Sequence, residues 1–416
     1  MSAFVIFRKS VAQDLRHKRI DRPTLGGGTL LQPPAQVVAE TRDQLSHTRV
    51  IAAACKSAIT TGAVRRRESS PASGGTVHSD IVRITALAGG VGGAKLLIGI
   101  DRALEAAEPD TPWEGAGSLT AIVNTGDDTE IYGLHVAPDI DIVTYWLAGL
   151  ADYERGWGVA GDTFHALEAF AALGVETWFS LGDRDLAVCL YRSERMRGGA
   201  SLSTVTDDIR RSLGLRAHIL PMSDDPVRTI ITTADQRTLG FQEYFVRERQ
   251  APEVAAVDLA GIEEAKPAPG VLDAIASADT VVICPSNPIV SIGPILALPE
   301  VREALRAHPK VVAVSPIVAG AALKGPAARM LASMGMTSSA LTVARLYADF
   351  ADKLVVDRRD EALLPQITAL GLEVIALDSI MTNGASSESL ARRVLGMRST
   401  PDKNGGSDRP GDRGSW

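Results

Sequence analysis

VRITALAGGVGGAKL, residues 82–96, is the stretch on which the fold is decided. Val82–Ala88 is a mostly apolar run of strand length. Four glycines then fall at 89, 90, 92 and 93, and helical patterning follows over Ala94–Ala107. A strand, a glycine turn and a helix in direct succession open a βαβ unit.

Working outward, the alternation continues. Leu119–Val123 reads as a second strand. Asp162–Leu173 has helical spacing through Phe164, Leu167, Ala171 and Ala172, and Val175–Phe179 reads as a third strand. Strand Thr280–Cys284, helix Glu300–Ala307 and strand Val311–Val314 follow. Strand Leu354–Val356, helix Glu361–Leu370 and strand Glu373–Leu377 close the series. This order predicts an α/β fold: a Rossmann-like, mostly parallel sheet with helices on both faces. Thr229–Thr233 and Thr238–Arg247 alternate around Asp235-Gln236 and read as a hairpin. They suggest a smaller lobe over about 185–265, inserted between sheet segments of about 81–184 and 266–397. Residues 1–80 carry Gly26-Gly27-Gly28, Pro33-Pro34 and Arg65-Arg66-Arg67 without strand–helix alternation, and read as a disordered basic extension. A basic tail for RNA or a partner is the rival reading. Residues 398–416 read as a second disordered tail.

Composition excludes several function classes. The 416 residues carry a net charge of −7, but residues 1–80 hold 12 Lys/Arg against 6 Asp/Glu, so the remainder stands at −13. A body that acidic is a poor general nucleic-acid binder, because duplex affinity comes largely from neutralising phosphates. Cys55, Cys189 and Cys284 are far apart, with no zinc or disulfide spacing. Reduced thiols fit a cytoplasmic protein. No apolar stretch approaches the roughly 20 residues of a membrane span.

The chemistry lies in loops that the reading places at strand carboxyl ends. These are Gly89–Lys95, Asn124–Asp128, Leu181–Asp185, Pro285–Pro288 and Ser315-Pro316. In open α/β sheets that edge is where ligands bind, so the loops are expected to converge on one cleft. The glycine loop fits neither the dinucleotide fingerprint, because position 95 is Lys, nor a P-loop, because Leu96 follows Lys95. It remains a turn that lets backbone approach an anion at a helix start, or a tight turn with no ligand. Asp127 and Asp128 are hard oxygen donors suited to Mg²⁺, or else a solvated turn. Asp141 is a candidate helix cap as well as a site carboxylate. Arg184 either pairs with its neighbouring aspartates or grips a phosphate or ring substituent. Ser286 and Asn287, framed by prolines, serve base or ribose recognition, or capping.

The segments AGGVGGAKL (88–96), NTGDD (124–128), PDID (138–141), WGVAGDTF (157–164), WFSLGDRDLA (178–187), ILPMSDDPV (219–227), PSNPIVSIGPIL (285–296) and SPIVAG (315–320) carry a resemblance. Together they resemble the 2-phospho-L-lactate transferase family, whose actinobacterial members are phosphoenolpyruvate transferases, over about residues 82–397. The resemblance implies Mg²⁺-dependent transfer of a phospholactyl or phosphoenolpyruvyl unit from a guanosine diphosphate-linked donor to the deazaflavin alcohol FO, releasing GMP, in coenzyme F420 biosynthesis. It implies Asp127 as metal ligand and catalytic residue, with Asp128 helping. Gly89, Gly90, Gly92 and Gly93, with Lys95, would cradle the donor's phosphates, and Ser286, Asn287 and Ser291 would line its guanosine side. Asp141 would contact the deazaflavin and act in catalysis, bordered by Ser180, Asp183 and Arg184. Ile142 departs from a Thr frequent in the family, and Ser180 stands at a variable position. A homodimer is expected on frequency alone. Two rivals stand beside this reading. One is a nucleotide-sugar-binding regulator of the same fold without transferase activity. The other is a nicotinamide oxidoreductase, which Asn124 in place of a ribose-binding acid disfavours.

Overall fold

A computed structural model describes residues 82–106, 117–322 and 325–397. The expectations for residues 1–80 and 398–416 lie outside these. Strand β1 (Arg83–Ala88) is buried on both faces apart from Arg83. It pairs in parallel with β2 (Ser118–Val123) on one side and β9 (Thr280–Ile283) on the other, with Leu87 opposite both Ile122 and Ile283. β5 (His218–Pro221) extends the sheet beyond β2. β10 (Val311–Val314), β13 (Lys353–Asp357) and β14 (Glu373–Leu377) extend it beyond β9. The order is β14-β13-β10-β9-β1-β2-β5 and every neighbouring pair is parallel. This is a Rossmann-like α/β fold.

The period of two along the strands divides the core into two layers. Leu87, Val281, Ile283, Val311, Ala313, Leu354 and Val356 face one side, packed with Val301 and Leu305 of a helix over Pro299–Ala307. Ile84, Ala86, Ala88, Val282, Val312, Val314 and Val355 face the other. There they meet Leu96, Leu97 and Ile100 of α1 (Gly90–Glu105) and Leu390 and Val394 of a helix over Gly384–Leu395. Each such buried Val, Leu or Ile side chain contributes about 1.5–3 kcal/mol.

The chain leaves β1 for β2 and β5, then returns to β9 on β1's other side before running outward again. The reversal of strand order at β1 and β9 makes the carboxyl ends of these two strands the switch point of the sheet, the edge where ligands bind in open α/β sheets. Four of the loops singled out in the sequence follow strands of this sheet: those after β1, β2, β9 and β10. The fifth does not. Val175–Phe179 forms no strand; it is an extended connector whose Phe179 packs with Ile131, Val136, Leu181 and Cys189. It has no neighbouring strand to pair with, and β-propensity without a partner makes no ladder. The sheet's place is taken by β5, a four-residue edge strand ending in Pro221, which an edge tolerates.

Auxiliary elements surround this sheet, among them the short antiparallel pair β11 (Ile317–Val318) and β12 (Ala321–Ala322). β3 (Thr129–Ile131) and β4 (Leu134–Val136) form a hairpin directly after the Asp127-Asp128 turn. Helices α2 (Pro138–Leu147), α3 (His165–Ala172) and α4 (Asp183–Arg197) follow. A separate antiparallel sheet, in the order β7-β6-β8, is built from β6 (Arg228–Thr233), β7 (Thr238–Gly240) and β8 (Val254–Ala260). The expected hairpin is present, but its second strand stops at Gly240 and Glu243–Arg247 turns into a π-helical segment.

Candidate active site at the sheet's switch point

Ser286, on the loop after β9, clasps the loop after β1. Its Oγ accepts from the Gly89 N–H at 3.1 Å and donates to the Gly89 carbonyl at 2.7 Å. Gly92 stands against the same loop, and a Cβ there would lie 2.4 Å from the Pro285 carbonyl oxygen. Only a residue without a side chain lets the two loops close this far. Gly93 packs on Ser286 and Ala88, and Ser291 abuts Gly89.

Asp139 joins these loops to the rest of the edge. Pro138 occupies the first turn of α2 and sets Asp139 behind it, where a carboxylate also favours the helix N-terminus. Asp139 Oδ1 accepts from the Gly90 N–H at 2.8 Å, and Oδ2 from Asn124 Nδ2 at 2.9 Å. Asn124 also donates to the Val290 carbonyl at 3.1 Å and accepts from the Gly126 N–H at 2.8 Å. One carboxylate and one carboxamide thus fix the glycine turn, the aspartate turn and the β9 loop together. Burial pushes the Asp139 carboxyl up to about 6, against the pull of its bonds to Asn124 and Gly90.

Asp127 and Asp128 lie beside this network, 5% and 2% exposed. Asp127 Oδ1 and Asp128 Oδ1 have no hydrogen-bond partner, although both are buried. Burial first, and the charge of Asp139 second, raise the Asp127 carboxyl well above its ordinary range. Asp128 Oδ2 meets His135 Nε2, on β4, at 2.8 Å. Buried carboxylate oxygens left unpaired are costly unless a cation takes them. Two such oxygens in adjacent residues match the one or two carboxylates that Mg²⁺ usually takes, so the donor set fits that ion.

A second acidic group lies between α2 and α4. Asp141 forms a buried bidentate ion pair with Arg192. Burial raises the Asp141 carboxyl and Arg192 draws it back. Asp185 accepts from the Tyr145 hydroxyl at 2.8 Å, and burial followed by the charge of Asp141 pushes it up to about 7. Asp141, Asp185 and Cys189 bring ligand atoms within 4.8 Å of one another, a group that could hold a metal ion.

The family model "2-phospho-L-lactate transferase CofD" matches residues 84–395. The chain belongs to the CofD family. It is 42% identical over 320 residues to the phosphoenolpyruvate transferase of Streptomyces griseus, covering 76% of this chain and 98% of that one. It is 40% identical over 314 residues to the 2-phospho-L-lactate transferase of Methanosarcina acetivorans, again covering 76% and 98%. Among solved structures, protein BH3568 of Bacillus halodurans matches with a TM-score of 0.51 at 16% identity, over 76% of this chain and all of that one. That likeness supports the fold alone. Membership of the CofD family makes the chain a phosphotransferase of coenzyme F420 biosynthesis, which moves a phospho group from a nucleotide-linked donor to an FO-like acceptor. Among the described residues no helix is long and apolar enough to cross a membrane.

The remaining residues named from the CofD-like motifs fall in several places. Lys95 is turned along α1 away from the glycine turn, donating to the Met381 carbonyl at 2.9 Å beneath the Trp146 ring. Asn287 Oδ1 accepts from the Ile289 N–H at 2.9 Å and shapes its own loop. Asp183 caps α3: its carboxylate accepts from Thr163 Oγ1, the His165 N–H and the Ala166 N–H, at 2.6–3.1 Å. Those bonds, the Thr163 hydroxyl first, hold its carboxyl below the ordinary range. Asp162 in return accepts from the Arg184 and Asp185 N–H groups at the start of α4. The Arg184 and Ser180 side chains are exposed. Asp139, His135, Tyr145 and Arg192 were not singled out. Asp139 had a signal in PDID, whereas Arg192 lies in a helix whose sequence gives no motif.

Proposed function

We propose that the chain transfers a phospholactyl or phosphoenolpyruvyl group from a guanosine diphosphate-linked donor to the 5′-hydroxyl of FO, releasing GMP, with Mg²⁺ held by Asp127 and Asp128. The observation that carries the magnesium reading is the pair of buried, unpartnered oxygens, Asp127 Oδ1 and Asp128 Oδ1, beside a glycine turn at the switch point. The bound ion supplies neutralisation of the diphosphate as negative charge develops on the departing GMP. The acceptor hydroxyl attacks the outer phosphorus and the bond to GMP breaks, with no covalent protein intermediate.

The protein's own part is to orient and to exclude water. Gly89 and Gly90 have their N–H groups bound to Ser286 and Asp139, so the turn is held rigid before substrate arrives. In this reading the donor's phosphates lie along the glycine turn Gly89–Gly93 at the start of α1, where the helix dipole favours anions. The loop Pro285–Ser291 flanks the guanosine side. In this reading Asp141, its carboxylate paired with Arg192, lies on the acceptor side together with Ser180, Asp183 and Arg184. Within the 185–265 range expected as an inserted lobe, β5 belongs to the main sheet, so the lobe of this reading centres on the sheet β7-β6-β8; the working protein of this reading is a cytoplasmic homodimer.

Two measurements test this. Incubation with FO and each candidate donor, read by mass spectrometry, identifies the transferred unit; product from none of them overturns the substrate reading. Asp127→Asn is expected to lower kcat at least ~10²-fold, the scale of losing one transition-state contact. Steady-state rates near wild type would remove Asp127 from the metal site.

A further inference from the structure

Four buried side-chain oxygens without a hydrogen-bond partner gather around one turn: Thr125 Oγ1, Asp127 Oδ1, Asp128 Oδ1 and Thr229 Oγ1. Three belong to the aspartate turn itself. The fourth comes from a different sheet. Thr229 sits on β6, is 1% exposed, and donates its backbone N–H to the Gly126 carbonyl at 2.7 Å. Its hydroxyl oxygen lies 2.9 Å from the point where a side chain at Gly126 would begin. Asn124 Oδ1 and Pro294 Cγ both stand 3.0 Å from that same point, so β6, the β2 loop and the helix after the β9 loop close on one glycine. Gln242 adds a longer contact, its Nε2 donating to the Asp127 carbonyl at 3.5 Å. The auxiliary sheet is therefore docked on the metal turn at the level of the backbone.

The hydroxyl is the feature that packing does not explain. Valine has nearly the same shape, and an unsatisfied buried hydroxyl costs about 1–3 kcal/mol. Within the folded chain alone, Thr229 Oγ1 has nothing to bond. A hydrated cation changes that, because Mg²⁺ dehydrates reluctantly and keeps several waters that need partners of their own. Groups that hold such waters orient the directly bound ligands. We propose that Thr229 is a positioning residue of the cation site, its hydroxyl bonding a water of the ion held at Asp127 and Asp128. The auxiliary sheet thereby completes a site that the main sheet leaves open. The proposal rests on the magnesium reading given above.

The test is calorimetric titration of Mn²⁺, as a probe for the divalent ion, into the full chain with GDP present and no acceptor. Wild type, Asp127→Asn, Thr229→Val and Thr229→Ser are compared. Wild type and Thr229→Ser are expected to bind within about threefold of each other, Thr229→Val roughly tenfold more weakly, and Asp127→Asn not measurably above the binding of Mn²⁺ to GDP alone; the tenfold loss is the scale of one ordinary hydrogen bond. Undiminished binding by Thr229→Val, with Asp127→Asn inactive in binding, overturns the role of Thr229 and leaves the magnesium reading intact. A Thr229→Ser loss as large as that of Thr229→Val assigns the effect to the missing methyl and overturns the hydroxyl's role. Equal binding by wild type and Asp127→Asn, or none by either, removes both readings.

Discussion

Asp139 and Asp141 stand two positions apart in the first turn of α2, and that spacing points them in different directions, about 200° apart around the helix. Asp139 turns to the glycine loop and Asn124, and Asp141 turns to Arg192. The motif PDID was visible in the sequence, but which aspartate meets the glycine turn was not, because that depends on how α2 is rotated against the sheet. Asp139 needs two acceptor oxygens at once, one for an N–H of Gly90 and one for the amide of Asn124. A carboxylate supplies both; a carboxamide supplies only one and sets an N–H against a donor. Asp139→Asn is therefore expected to destabilise the folded protein by about 1–3 kcal/mol at pH 8 and to lower kcat more than KM rises. Urea unfolding and steady-state kinetics measure the two effects, and an unchanged unfolding midpoint would show that one of the two bonds is absent. The turn at Asp127-Asp128 was visible in the sequence, but the burial of both carboxylates was not, because Gly-Asp-Asp is equally the composition of a solvated turn.

Helices α2 and α4 are joined by Asp141 and Arg192, a pair with Arg192 fully buried. Burial works against the arginine's charge and the Asp141 carboxylate more than restores it. Such a pair specifies how two helices face each other more than it stabilises them. Arg192→Met is expected to cost about 3–5 kcal/mol, because it strands a buried carboxylate, whereas Arg192→Met combined with Asp141→Leu recovers most of that loss. Thermal or denaturant unfolding of the single and double variants decides it; equal losses would mean that water already reaches Asp141. Element-scale features divide clearly in how far sequence reveals them. β1, β2, β9, β10, β13 and β14 were readable as apolar runs of strand length, most plainly β9 and β10, which are buried along their whole length. β5 was not, at four residues with a terminal proline. Val175–Phe179 has the residues of a strand and no neighbour, a fact that lies in the tertiary arrangement alone.

At the scale of the whole molecule, a few acidic side chains, Asp127, Asp128, Asp139, Asp141 and Asp185 among them, are buried where charge is most costly. Asp139 is raised to about 6 and Asp185 to about 7 from an ordinary 3.8, and Asp127 and Asp141 are also raised, burial being the first cause in each case. A carboxyl raised in the folded state binds its proton more tightly there than in the unfolded chain. Its contribution to stability is complete below the unfolded value and is lost as pH rises through the folded one. The metal-free protein is therefore expected to lose stability between pH 5 and pH 8, with Asp185 alone accounting for on the order of 2 kcal/mol. Asp185→Asn should flatten that part of the profile, since a carboxamide does not titrate there. Adding Mg²⁺ with GDP should raise the melting temperature most at pH 8, because the ion favours the ionised carboxylates and stabilises by mass action. NAD, which the glycine turn does not suit, should leave it unchanged. Melting curves at each pH, with EDTA or with Mg²⁺ and GDP, give the comparison directly. A melting temperature that climbs from pH 5 to pH 8 without metal would mean that these carboxylates are hydrated in solution, and their burial would no longer argue for a bound cation.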